Sequence, residues 1–112
     1  MSDDKLVIEK QITIKNKQGL HARPAAIFVQ IANKYESEIT VKKDNDEING
    51  KSIMGILMLA AEEDSIVFLK AVGIDAKEAV DELEQVLLKQ TEDLATLKAN
   101  TKSKVKKRKN NI

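Results

Sequence analysis

His21 is the only histidine in the chain, and no cysteine accompanies it. It stands in the run Gly19-Leu20-His21-Ala22-Arg23-Pro24-Ala25, whose residue types suit one kind of chemistry. A neutral imidazole nitrogen is a nucleophile and, once phosphorylated, a leaving group, so one histidine suffices for reversible phosphoryl transfer. Arg23 offers a fixed charge and a donor fork matched to phosphate oxygens. Gly19 permits close approach of the backbone. Pro24 fits the first turn of a helix, where its missing N–H costs nothing. His21 therefore falls where a loop becomes a helix, and unpaired N–H groups and partial positive charge at such a start receive an anion. A capping or plain surface histidine fits the same residues, and spacing alone leaves both readings open.

Other chemistries find less support. One histidine without cysteine leaves carboxylates for a metal, and no loop has the acidic spacing of a calcium site, so neither metal nor cofactor is expected. No serine, histidine and acid stand in the order of a hydrolytic triad. Two phenylalanines, one tyrosine and no tryptophan provide few platforms for stacking bases, so a nucleic-acid role would rest on charge. That charge is unevenly placed. Residues 1 to 97 hold 12 Lys+Arg against 18 Asp+Glu, a balance of −6, while residues 98 to 112 hold 7 against none, or +7. No apolar run approaches the roughly 20 residues that cross a bilayer. Residues 1 to 10 lack the pattern of a secretory signal, and the cytoplasm is the expected location.

The elements that must position His21 follow from periodicity. Residues 7 to 14 place Ile8, Ile12 and Ile14 on one parity, which predicts a half-buried strand before the loop at Lys15 to Gly19. Ala25, Phe28, Val29 and Ala32 recur at helical spacing as far as about Lys34. Ile39 and Val41 mark a strand over 38–43, joined through Asp44-Asn45 to a short strand ending near Ile48. Ser52 is a good N-cap for a short helix from Ile53 to about Met58. Ser65 to Ala71 reads as a strand, Gly73 as a turn, and Asp75 as the cap of a helix burying Ala76, Ala79, Val80, Leu83, Val86 and Leu87. Leu94 and Leu97 continue its stripe, so this helix is expected to run on towards residue 98, ahead of a disordered Lys-rich tail. The order β-α-β-β-α-β-α predicts an α+β fold, an open-faced β-sandwich with a four-stranded, mostly antiparallel sheet and three helices on one face. The expected division is a domain over 1–90 and an extension over 91–112.

The run Gly19 to Ala25, with Lys51-Ser52-Ile53-Met54-Gly55 placing Ser52 thirty-one residues after His21, resembles HPr, the histidine-containing phosphocarrier family of the bacterial sugar phosphotransferase system. The stretch Ala71-Val72-Gly73-Ile74-Asp75-Ala76-Lys77-Glu78-Ala79 extends the likeness, which covers about residues 6 to 90. The resemblance implies a carrier rather than a stand-alone enzyme: His21 would be phosphorylated on Nδ1 by enzyme I and would pass the group to IIA domains of sugar permeases. Arg23 would help to hold the phosphate. Leu20, Ile53, Met54 and Leu57 would form an apolar docking patch. Ser52 would be the target of an HPr kinase/phosphorylase, and a transcriptional regulator would be a further partner. The chain is expected to be a monomer.

Two features depart from the family. Asp64 stands where a glycine is usual, in a turn that would need positive φ. The extension beyond residue 90 has no family role, and a solvated tail or a basic arm for nucleic acid or anionic lipid both fit its composition. The rival to phosphotransfer is a regulatory module that uses Ser52 and the apolar patch alone.

Overall fold

The computed structural model describes residues 6–89. Its elements are β1 (Leu6–Thr13), α1 (Ala22–Ala32), β2 (Glu38–Lys43), β3 (Asp46–Asn49), α2 (Ile53–Leu59), β4 (Ile66–Gly73) and α3 (Ala76–Leu88). The strands form one sheet in the order β1-β4-β2-β3. Every pairing is antiparallel, with Ile12 opposite Val67 and Val41 opposite Leu69.

Alternation along the strands decides which face is covered. Val67, Leu69 and Ala71 of β4 are buried with Ile12 of β1 and with Ile39 and Val41 of β2. Ile66 and Phe68, on the opposite parity of β4, remain exposed. The helices fill the covered side: Ala25 and Phe28 of α1, Ile56 and Leu59 of α2, and Ala76, Ala79, Val80, Leu83, Val86 and Leu87 of α3 complete one core. This is the expected open-faced α+β sandwich. The turns use residues that tolerate the left-handed region. Asp44 has φ 55° and Asp64 has φ 73°, so the turn at Asp64 does adopt the positive φ expected of it.

Two expectations need correction. Asp75 is not a side-chain cap of α3. Its carboxylate turns outward to the α1–β2 connection, accepting from Glu36 N at 2.9 Å, from Ser37 N at 3.0 Å and from Ser37 Oγ. Three donors converging from another element outbid the single amide that a cap would satisfy. Nor does α3 run unbroken towards residue 98, because it ends at Leu88 and Lys89 is extended. Carbonyls that further helical turns would have used are engaged elsewhere: Leu87 O accepts from Lys15 N at 2.8 Å, and Val86 O accepts from Asn16 Nδ2 at 2.8 Å. The tail and any helix expected over 90–112 lie outside the described residues.

Candidate phosphorylation site

The loop before α1 is shaped by two consecutive residues in the left-handed region, Gln18 at φ 68° and Gly19 at φ 76°. Glycine is required at the second of them. A Cβ on Gly19 would lie 2.3 Å from Ala61 O and 2.8 Å from Glu62 Cα, both backbone atoms that cannot swing aside. The loop then closes on itself and on the end of α2: Gly19 N donates to Asn16 O at 2.9 Å, His21 N to Gly19 O at 2.9 Å, and Leu20 N to Ala61 O at 2.8 Å.

This delivers His21 to the N-cap position of α1 with φ −90° and ψ −165°. Its carbonyl accepts the first helical bond, from Ala25 N at 2.9 Å, but its ring makes no capping hydrogen bond. The imidazole is half-buried and leaves the amides of α1 uncapped, which tells against the capping reading. Pro24 contributes no N–H, so the amides of Ala22 and Arg23 are the donors that a phosphoryl group beside the ring would meet. No acidic residue occupies the first turn of α1 to oppose one. Arg23 is exposed and forms no ion pair among the described residues.

Ser52 is the N-cap of α2, its Oγ accepting from Gly55 N at 3.0 Å. The helix is capped by Ser52 and Ala60, and the next residue, Ala61, is the one that receives Leu20 N, so the C-terminal end of α2 adjoins the His21 loop. Ile53, Met54 and Leu57 are exposed on it, Met54 at 62%. Leu20 is not part of this surface: it is 4% exposed and belongs to the core, because the turn at Gln18-Gly19 directs it inward. Met58, 74% exposed, takes its place as an outward apolar residue. The i, i+4 relation of Met58 to Met54 was the available signal.

Asn16 is a loop residue beside the candidate site whose burial sequence reasoning missed. It is wholly buried, and its amide nitrogen donates to Val86 O and Lys89 O at the end of α3. A polar residue in a polar loop carries no periodic signal of burial. Among the described residues, no three His, Cys, Asp or Glu side chains gather as a metal site would require, and no helix is long and apolar enough to cross a membrane.

Residues 8–89 match the family described as the PTS HPr component phosphorylation site. The chain belongs to the HPr family. HPr proteins are phosphocarriers of the phosphotransferase system, and His21 is the only histidine in the matched stretch. The HPr-like protein Crh of Halalkalibacterium halodurans is 48% identical over 77 residues, covering 69% of this chain and 92% of that protein. The phosphocarrier protein HPr of Neisseria meningitidis serogroup A is 41% identical over 81 residues, covering 72% and 91%. In three dimensions, the crystal structure of HPr from Bacillus anthracis superposes with a TM-score of 0.70 at 41% identity, over 72% of this chain and 96% of that one.

Proposed function

We propose that this chain accepts a phosphoryl group on His21 Nδ1 from phosphorylated enzyme I and donates it to IIA domains of sugar permeases. The observation that carries the reading is an imidazole at the start of α1 that takes no part in capping the helix it begins. With its proton on Nε2, the ring presents the Nδ1 lone pair to phosphorus. As the new N–P bond forms, the donor's N–P bond breaks and the donor imidazole leaves. The exchange is nearly symmetric, so positioning and charge neutralisation supply the catalysis. The free amides at the start of α1 and the Arg23 guanidinium supply the neutralisation, and Ile53, Met54, Leu57 and Met58 supply apolar contact for either partner. Incubation with phosphoenolpyruvate and enzyme I should place acid-labile phosphate on the chain, and His21→Ala should abolish it. Persistence of the label in that variant would refute the assignment.

Ser52 is proposed as a regulatory site for an ATP-dependent kinase. A phosphate there would add about −1.5 to −2 charges at a helix start, which the helix tolerates, while standing beside the patch that meets partners. The likeness to Crh, the catabolite repression HPr of Bacillus subtilis, supports a second, regulatory reading, and we propose for it that this same face binds a transcriptional regulator. Binding to such a partner that needs Ser52 phosphate and survives His21→Ala would favour it.

A further inference from the structure

We propose that Asn16 is a positioning residue for phosphoryl transfer, a buried latch that holds the His21 loop to the C-terminal turn of α3; this rests on the reading of His21 as the phosphoryl acceptor. Asn16 is 0% exposed. One Nδ2 hydrogen reaches Val86 O at 2.8 Å and the other reaches Lys89 O. Its own carbonyl receives Gly19 N, the amide at the sharpest point of the loop. One residue thus connects the last turn of α3, fixed in the core through Leu83, Val86 and Leu87, to the backbone two residues before His21.

The loop requires such a connection. Gln18 and Gly19 both hold positive φ, a conformation that persists for a non-glycine residue only where its surroundings over-determine it. Downstream, the loop is held by the buried Leu20 side chain and by Leu20 N on Ala61 O. Upstream, the buried side-chain tie is Asn16. Lys15 adds a backbone bond, its N–H donating to Leu87 O at 2.8 Å, and its side chain reaches Asp64 at 3.3 Å in an exposed ion pair that water screens. The two ends differ in what they set: Leu20 fixes the loop against α2, and the Asn16 side chain, next to the Lys15 N–H on Leu87 O, fixes it against α3.

The amide is also used one-sidedly. Both of its hydrogens have acceptors, whereas Asn16 Oδ1 is buried with no partner among the described residues. A buried acceptor left unpaired is a cost. The side chain is therefore held for its donors, and an isosteric residue without them cannot replace it. Asn16→Asp would keep the shape while turning a carboxylate towards two carbonyl oxygens, and Asn16→Ala would remove the tie.

The test separates positioning from stability and from the assignment of His21. With phosphorylated enzyme I as donor, Asn16→Ala and Asn16→Asp should lower kcat about tenfold or more, since small misplacement of a reacting group is costly. KM should stay within about twofold, because Ile53, Met54 and Leu57 are untouched. Val80→Ala, in the buried face of α3, serves as the destabilised control and should transfer at nearly the original rate. A kcat within twofold of the unsubstituted chain, or an equal loss in Val80→Ala, would overturn the proposal. NMR supplies readouts that need no transfer. Asn16→Ala should displace the His21 imidazole and the residue 17–21 amide resonances, and unmoved resonances would also overturn it. In the unsubstituted chain, the Asn16 side-chain amide protons should exchange as slowly as those of the core. Fast exchange would refute the latch even if neither variant folds. Should the unsubstituted chain accept no phosphate, the assignment of His21 fails by itself, and the resonances and exchange rates still decide the latch.

Discussion

At the scale of single residues, the chemistry of this chain is set by which groups face a phosphoryl group and which face a partner. Arg23 is the cationic side chain two residues after His21, exposed and without an ion pair among the described residues. Hydrogen bonds to charged groups contribute about 1.5–3 kcal/mol, so Arg23→Ala should slow phosphoryl transfer roughly 10- to 100-fold. Arg23→Lys should recover part of that loss, since charge is kept and the fork is not. Steady-state transfer from enzyme I measures both. Ser52→Asp places a charge beside Met54 without removing an acceptor for Gly55 N, so it should slow His21 phosphorylation while leaving the thermal midpoint almost unchanged. An unchanged rate would exclude the regulatory reading. His21, Arg23, Gly19 and Ser52 were legible in the sequence because each has a residue type with a specific use at a specific spacing. Leu20 and Asn16 were not. Whether a loop side chain points in or out depends on φ at Gln18 and Gly19, and nothing in residue type announced that Gln18 would take the left-handed conformation.

At the scale of elements, strands and helices followed their periodicity, and the misreadings fell at their ends. Element interiors are decided by burial every second or every third to fourth residue, which a sequence displays; ends are decided by which distant groups take the last amides and carbonyls. The carboxylate of Asp75 reaches back to Ser37 and Glu36 and so ties the start of α3 to the start of β2. The Ser37 hydroxyl, and then the Glu36 amide, hold this carboxyl below the usual aspartate range. A carboxyl depressed in the folded state contributes stability that is present above about pH 4, its unfolded value, and is lost as pH falls through the lower folded value. Asp75→Asn should therefore be less stable than the unsubstituted chain at pH 7, with the gap closing as the solution is acidified below about pH 4. Urea midpoints at a series of pH values test this, and a gap independent of pH would show that charge is not involved. The end of α2 gives a second prediction. Ala60 holds φ 53° as its left-handed C-cap, a position that glycine fills without strain. Ala60→Gly should stabilise the fold by about 0.5–1 kcal/mol, the relieved strain less the added freedom of the unfolded chain. Chemical denaturation would reveal it.

At the scale of the whole molecule, the sequence divides into two electrostatic objects. Residues 1–97 carry −6 and residues 98–112 carry +7, so the full chain at +1 conceals an acidic body and a basic end. The described core is assembled from Ile12 to Leu87, all of it before the basic stretch. Ending the chain after Leu97 removes no residue of that core, so the free energy of unfolding should change by less than about 0.5 kcal/mol. His21, its loop and the groups that hold the loop, as far as Lys89, likewise precede that point, and transfer from enzyme I should continue at a similar rate. What should change is association with polyanions, which follows local charge and weakens steeply with salt. The full chain should be retained on an anionic matrix at low ionic strength and released by salt, and the shortened chain, now −6, should flow through. A shortened protein that kept its stability but lost phosphoryl transfer would place the basic extension within the phosphocarrier machinery, where charge supplied from the C-terminal end reaches the phosphoryl group or its donor.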